Sequence, residues 1–361
     1  MKKILFLTNV PSPYRVEFFN LLAKHCDLTV LYQKKRSDER DDKWSAEATQ
    51  NYRSIFLKGK STNTDSAICL DVVKYLKKGV YDQIIICGIA SPTEMLAIQH
   101  CQLHGIPYAV EGDGAFYEKG NVLKERLKHH LLSHCSLAFS TCHEHSKYYM
   151  AYGVKPEKIH KYPFSSIHEQ DIKQVTPKQK AAMKEKLHIA EKKMVMTVGQ
   201  FIPRKGFDLL LEASKGFDEE TGVYFIGGQP TSEYEAILKD HPQKDHIHFI
   251  SFLSKEELVE YYQAADLFVF PTREDIWGLV VNEAMAYGLP VITTTRCNAG
   301  LEMVKEGENG YLIPINDIES LKNITNKALC HSFDTSVIYN TIDRYTIEAM
   351  VRAHCSILNL K

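Results

Sequence analysis

Two acidic residues eight positions apart, Asp275 and Glu283, bracket Trp277, Gly278, Leu279 and Val280. An apolar run at 267–270 precedes them and reads as a buried strand. The helix that follows ends at Gly288, Leu289 and Pro290. The first N–H groups of a helix lack intrahelical partners, and its dipole is positive at that end, so the turn at 278–280 can cradle an anion. Ionised carboxylates only accept hydrogen bonds, which suits the hydroxyls of a sugar or a ribose. Anion cradle and carboxylates together would suit a nucleotide sugar. The plain alternative is a strand-to-helix joint with solvated acids.

A second segment strengthens the first reading. The apolar run 194–198 leads into Gly199, Gln200, Phe201, Ile202, Pro203, Arg204, Lys205 and Gly206, and then into a helix from Phe207 to Ala213. Arg grips phosphate bidentately and Lys acts as a point charge, so Arg204 and Lys205 are placed to hold a diphosphate. The Gly and Ser/Thr spacing of a Walker loop is absent. In the first half, Tyr14 and Arg15 open a helix after the loop 9–13, which two prolines stiffen. Arg15 either faces a ligand or pairs with a helix acid such as Glu17. Glu111 and Asp113 alternate with glycines after the run 106–110, and form either a hydroxyl-binding or acid/base site or an ordinary acidic turn.

Apolar runs alternating with amphipathic stretches call for βα units and parallel sheets to position these residues. Strands are expected at 3–8, 28–32, 84–88, 107–110 and 137–140, and helices at 14–25, 68–78, 92–103, 121–134 and 143–152. A fresh series of strands follows at 194–198, 223–227, 247–250, 267–270, 290–293 and 311–313. The pattern divides the chain into a domain at 1–165, a Lys-rich connection at 166–193 with a helix near 177–187, a second domain at 194–340, and a terminal helix within 341–361.

Composition excludes several classes. A net charge of −1 over 361 residues gives no basic field for nucleic acid. No apolar run reaches the length of a membrane span, and the opening run is too short for a signal peptide, so a cytoplasmic protein is expected. Nine scattered cysteines without a C-x2-C pair point to reduced thiols, not to zinc or a disulfide framework. No G-x-G-x-x-G follows any strand, which disfavours a dehydrogenase. His143 with His145, and His246 with His248, lack the helical zinc spacing, and no metal is expected.

The second half resembles the family 4 retaining glycosyltransferases of the GT-B fold. Val198-Gly199, Arg204-Lys205-Gly206, Phe225 to Gly228, Ala265 to Thr272, the two acids, Ala286 to Ile292 and Asn309 to Pro314 carry the resemblance in order. It implies two Rossmann-like parallel-sheet domains facing a cleft, with the terminal helix crossing back to the first. It also implies sugar transfer from a nucleotide-diphosphate donor to a glycan or lipid-linked acceptor, with no cofactor beyond that co-substrate. Arg204 and Lys205 would neutralise the leaving phosphate, Glu283 would hold the ribose, and Asp275 the sugar. Gly199, Gln200, Gly227, Trp277, Gly278, Leu279 and Val280 would line the donor, with Phe252 and Leu253 beside the base. Tyr14, Arg15, Glu111 and Asp113 would face the acceptor.

The chain departs from the family in four places. Gln200 stands where Arg is common, so Arg204 substitutes or phosphate binds less tightly. Asp275 holds a position usually given to Glu, and Glu274, one residue out of register, is the other candidate for the sugar. The first loop lacks a Gly-Gly pair, and Glu111 and Asp113 stand where a His is frequent. The basic stretch 119–134, which also carries Val122, Leu123 and Leu127, either rests on anionic lipid at the inner membrane face or packs one side on the sheet. An epimerase of the same fold and a non-catalytic nucleotide-sugar-binding subunit are the rival functions.

Overall fold

The computed structural model describes residues 1–36, 51–62 and 64–361. They form two compact units, Met1–Ser165 with Thr346–Lys361, and Ser166–Tyr345.

The first unit is built on β1 (Lys3–Thr8), α1 (Pro13–Leu22), β2 (Asp27–Tyr32), β3 (Arg53–Phe56) and a small hairpin of β4 (Lys60–Ser61) and β5 (Ala67–Ile68). β6 (Gln83–Cys87), α2 (Pro92–Leu103), β7 (Ala109–Glu111), α3 (Val122–Leu132), β8 (Leu137–Ser140), α4 (His143–Ala151) and β9 (Ile159–Lys161) complete the series. Seven strands pair in the order β3-β2-β1-β6-β7-β8-β9, all in parallel. Helices on a parallel sheet bury the strands on both faces, which is why Ile4, Leu5, Phe6 and Leu7 are all inaccessible to solvent.

Helix starts follow local chemistry. Ser91 caps α2 and Glu94 reaches back to the Ser91 N–H, a reciprocal capping box behind Pro92. The helix expected at 68–78 is instead β5 followed by a short 3-10 segment, Leu70–Lys74. Thr93 explains the difference: its hydroxyl donates to the Ala67 carbonyl at 2.6 Å and accepts from the Cys69 N–H at 2.8 Å, which holds the chain extended there. The edge strands β3 and β9 had no counterpart in the sequence reading.

The second unit begins with α5 (Pro177–Lys186), then β10 (Lys193–Val198), α6 (Phe207–Ser214), β11 (Thr221–Ile226), α7 (Ser232–Lys239), β12 (Ile247–Ile250) and α8 (Lys255–Ala264). β13 (Leu267–Phe270), α9 (Leu279–Ala286), β14 (Val291–Thr294), α10 (Asn298–Met303), β15 (Gly310–Ile313), α11 (Ile318–Cys330) and α12 (Thr335–Ile342) follow. Its parallel sheet runs β12-β11-β10-β13-β14-β15. The order reverses at β10 and β13, and loops at the carboxyl ends of strands beside such a switch point are where open α/β sheets bind ligands. The Lys-rich stretch 166–193 lies in this unit, where Lys180 and Lys184 of α5 pair with Asp266 at 2.9 and 2.7 Å.

The chain ends in α13 (Ile347–Ile357), which belongs to the first unit and packs on α1. Thr346 caps it, and Ile347, Met350, Val351 and His354 form its buried face. No helix among the described residues is long and apolar enough to cross a membrane.

Candidate functional site

The loops after β10 and β13 are stitched together. The Arg204 carbonyl accepts from the Arg273 N–H at 2.8 Å and from the Thr272 hydroxyl at 2.9 Å. Gly206 sits at φ +69°, and a Cβ there would lie 2.1 Å from the Pro271 carbonyl oxygen, so only glycine allows this approach. The stitching brings Arg204 and Lys205 onto Asp275. Lys205 Nζ lies 2.6 Å from Asp275 Oδ2 and 4.9 Å from the Phe270 ring centre. Arg204 Nη1 donates to the Glu274 carbonyl at 2.8 Å and reaches Asp275 Oδ2 at 3.4 Å. The Lys205 and Asp275 side chains are mostly buried, while Arg204 is about half exposed. Glu274 turns the other way, to the Arg296 guanidinium.

Asp275 also accepts from the Trp277 N–H at 3.2 Å, which fixes the turn into α9. Gly278 caps that helix at φ +100°, with no room for a Cβ beside Cys297 Sγ at 2.7 Å. Trp277, expected to line the donor, offers its backbone and not its side chain. It is buried, its indole N–H donates to Asn282 Oδ1 at 2.8 Å, and its ring lies near Tyr345. A large apolar ring gains more from burial than from lining an open loop, so only the backbone of Trp277 belongs to the turn. Glu283 lies on α9 with partners of its own: Tyr262 donates to it at 3.0 Å and Ser166 at 3.3 Å. Burial raises its carboxyl above the ordinary range, against these two bonds. Gly199 and Gln200 directly follow β10, Gly227 directly follows β11, and Gln200 is exposed. Phe252 and Leu253 follow β12, and Phe252 presents an exposed aromatic face.

In the first unit, all four acceptor-side candidates meet. Arg15, buried at the start of α1, bridges Glu111 and Asp113. Tyr14 donates to Asp113 at 2.9 Å. Arg15 thus pairs with acids 96 and 98 residues away, and the expected local alternative, Glu17, is not its carboxylate partner. Glu111 also accepts from Tyr162 at 3.2 Å and lies 3.3 Å from His354 Nε2. Burial opposes its charge, but Arg15 and then His354 outweigh it and hold the carboxyl at about 2. The outcome divides the two acids. Glu111 is sealed in, whereas the Asp113 side chain is one-third exposed and is the one that a solute can reach.

The sequence profile described as "Glycosyl transferases group 1" matches residues 178–340. These residues, a little under half of the chain, are similar to the group 1 glycosyltransferases. The spore coat protein SA of Bacillus subtilis is 33% identical over 151 residues, 39% of each chain. The lipopolysaccharide glucosyltransferase WaaG of Escherichia coli is 27% identical over 188 residues, 50% of this chain and 49% of its own. The chain therefore spans two-fifths to half the length of these curated relatives. Anabaena HepE, crystallised with UDP and glucose, superposes with a TM-score of 0.76 at 15% identity, over 99% of this chain and 100% of its own. That likeness establishes the GT-B type of fold, with a parallel sheet in each of two units.

Within the glycosyltransferase segment, the sequence reading missed the residues that hold the loops. Arg273 pairs with Asp208 on α6 through two bonds of 2.8 and 2.6 Å. Arg296 takes Glu274, and Thr272 takes two carbonyls. Apart from the Thr272–Glu274 contact, these partners are 22 to 68 residues apart in the chain, so no local spacing marks them. In the first unit, His354 was readable, because it continues the i, i+3, i+4, i+7 stripe from Ile347 through Met350 and Val351.

Proposed function

We propose that the protein transfers a sugar, with retention, from a nucleoside diphosphate donor to a glycan or lipid-linked acceptor in surface polysaccharide or glycoconjugate synthesis. The observation that carries this reading is the convergence of Arg204 and Lys205 on Asp275 at the carboxyl ends of β10 and β13, inside the segment of group 1 type. In the proposed step the bond from the anomeric carbon to the β-phosphate oxygen breaks, and the acceptor oxygen bonds to that carbon on the same face as the bond it replaces. The acceptor proton leaves with the diphosphate. Arg204 and Lys205 gain most as charge builds on the departing oxygen, which is transition-state stabilisation. The N–H groups of Gly278, Leu279 and Val280 add the helix dipole. Cations and dipole together neutralise the diphosphate, so this scheme needs no cofactor beyond the donor.

Asp275 accepts from the sugar hydroxyls, Glu283 from the ribose, and Phe252 and Leu253 border the base. HepE was crystallised with UDP, which makes a uridine nucleotide the first donor to test. Asp113 and Tyr14 form the acceptor side. On α3, Val122 and Leu123 are about two-thirds to three-quarters exposed beside Lys124 and Arg126, a surface suited to the anionic cytoplasmic face of a membrane.

The test is a thermal-shift panel of UDP, GDP, ADP and CMP with their sugar conjugates, run with Lys205→Ala in parallel. A ligand that binds only the folded state raises Tm by mass action. One nucleotide should stand out and lose its shift in the variant, and acceptor assays with that donor should yield a glycoside. Release of free isomerised sugar without an acceptor would favour an epimerase, and binding without turnover a non-catalytic subunit.

A further inference from the structure

Three consecutive charged residues after β13 pair with different side chains of the second unit. Asp275 takes Lys205 and Arg204, Glu274 takes Arg296, and Arg273 takes Asp208. Arg273 uses its whole guanidinium. Nη1 and Nη2 pair with the two carboxylate oxygens of Asp208 at 2.8 and 2.6 Å. Nε donates to Asn316 Oδ1 at 2.8 Å, and Nη1 also donates to the Pro203 carbonyl. One side chain thus binds the residue just before Arg204, the first turn of α6, and the loop after β15. The Arg273 N–H meanwhile holds the Arg204 carbonyl. Asn316 is itself left-handed, at φ +58°.

We infer that Arg273 is a positioning residue for the diphosphate grip, fixing the backbone from which Arg204 and Lys205 project. This rests on the proposed donor site and adds to it a residue that touches no substrate. The reasoning is geometric. Lys205 and Arg204 sit on the five residues Ile202 to Gly206. Without the Arg273 side chain that stretch keeps its own turn bonds, Lys205 N–H to Ile202 O at 2.9 Å and Gly206 N–H to Pro203 O at 3.2 Å, the bonds to the Arg204 carbonyl and the side-chain bonds to Glu274 and Asp275, but it loses the tie that joins the Pro203 carbonyl to Asp208 and Asn316. A planar guanidinium can serve three segments at once, whereas an ammonium is a point donor on a flexible stem. Lysine at this position keeps the charge and can pair with Asp208, but its single nitrogen lacks the spread of the Nε, Nη1 and Nη2 donors that span Asp208, Asn316 and Pro203.

The experiment measures binding of UDP, GDP, ADP and inorganic pyrophosphate to the full chain by calorimetry. It compares wild type, Arg273→Lys, Lys205→Ala and the double variant, with far-UV circular dichroism and Tm as folding controls. Expected are about a tenfold weaker diphosphate in Arg273→Lys and a loss of about a hundredfold in kcat/KM, because a small misplacement of catalytic groups is costly. The decisive readout is coupling. Once Lys205 is gone, the Arg273→Lys change should cost clearly less affinity than it does in the wild type, the remainder acting through Arg204, since residues acting through one another are not additive. Unchanged affinity and rate in a folded Arg273→Lys variant would overturn the inference while leaving the donor site standing, provided Lys205→Ala still weakens binding. Full additivity in the double variant would also overturn it, as would a wild type that binds none of the four probes, which would remove the donor site as well.

Discussion

Asp275 occupies the two cations assigned to the diphosphate, and neutralising it should tighten nucleotide binding while impairing transfer. Lys205 Nζ is 2.6 Å from Asp275 Oδ2, and both side chains are at least 85% buried. A phosphate oxygen approaching the same ammonium from its other side would stand about 5 Å from the carboxylate. At an effective dielectric near 20, two unit charges so placed repel by about 3 kcal/mol. The half-exposed Arg204 and the surrounding solvent screen roughly half of this. Asp275→Asn, which keeps the shape and an acceptor for the Trp277 N–H, should therefore bind UDP about tenfold more tightly, a change of about 1.4 kcal/mol. Transfer should fall by at least tenfold, because the amide is a weaker acceptor for the sugar hydroxyls. Calorimetry at about 50 and 300 mM salt reads the first effect, and a radiolabelled-donor assay the second. The gain in affinity should shrink at high salt. Equal or weaker UDP binding in a folded variant would refute the assignment of Lys205 to the phosphate.

Three further outcomes are expected. Gly278→Ala places a Cβ 2.7 Å from Cys297 Sγ at φ +100°, so it should lose about 2–3 kcal/mol and melt several degrees lower in a thermal scan. Glu111 has a carboxyl held at about 2 against about 4.3 when unfolded. The unfolded state therefore binds more protons between these values, and the resulting stability is present above about pH 4.3 and lost as pH falls towards 2. Urea melts from pH 6 to 3 should show that slope in the wild type and a flatter one in Glu111→Gln. Replacing Val122 and Leu123 together with Ser should reduce sedimentation with vesicles containing anionic lipid and leave transfer to a short soluble acceptor unchanged.

The βα alternation was legible because central strands of a parallel sheet are continuous apolar runs, as Ile4–Leu7 and Leu267–Phe270 are. The edges were not. β9 is three residues long with a His and a Lys, and β3 carries an Arg and a Ser, so neither has a run to read. Residue types announced Arg204, Lys205 and Asp275 as chemistry, yet their pairing depends on loops 70 residues apart. The acids at 111 and 113 were visible as a turn. That Arg15 would divide them into a sealed and an open carboxylate depended on the register of β6, β7 and the helix after β1. The burial of the Trp277 side chain was not legible locally, because it depends on packing in the second unit, where Asn282 accepts from the indole N–H.

The placement of α13 has a consequence for how the chain is made. The first unit is translated first but is completed last, because its α1 face awaits residues 346–361. Until they emerge, Phe18 lacks the His354 ring that lies 4.7 Å from it, and the buried Phe139 lacks its stacking partner. The ribosome must add the 180 residues of Ser166–Tyr345 in between, which takes about ten to forty seconds at about 5–20 residues per second. The second unit can close on itself during that interval, so the usual order of domain folding during synthesis is reversed. Through that interval the α1 face of the older half stays uncovered, the kind of transiently exposed apolar surface that chaperones bind.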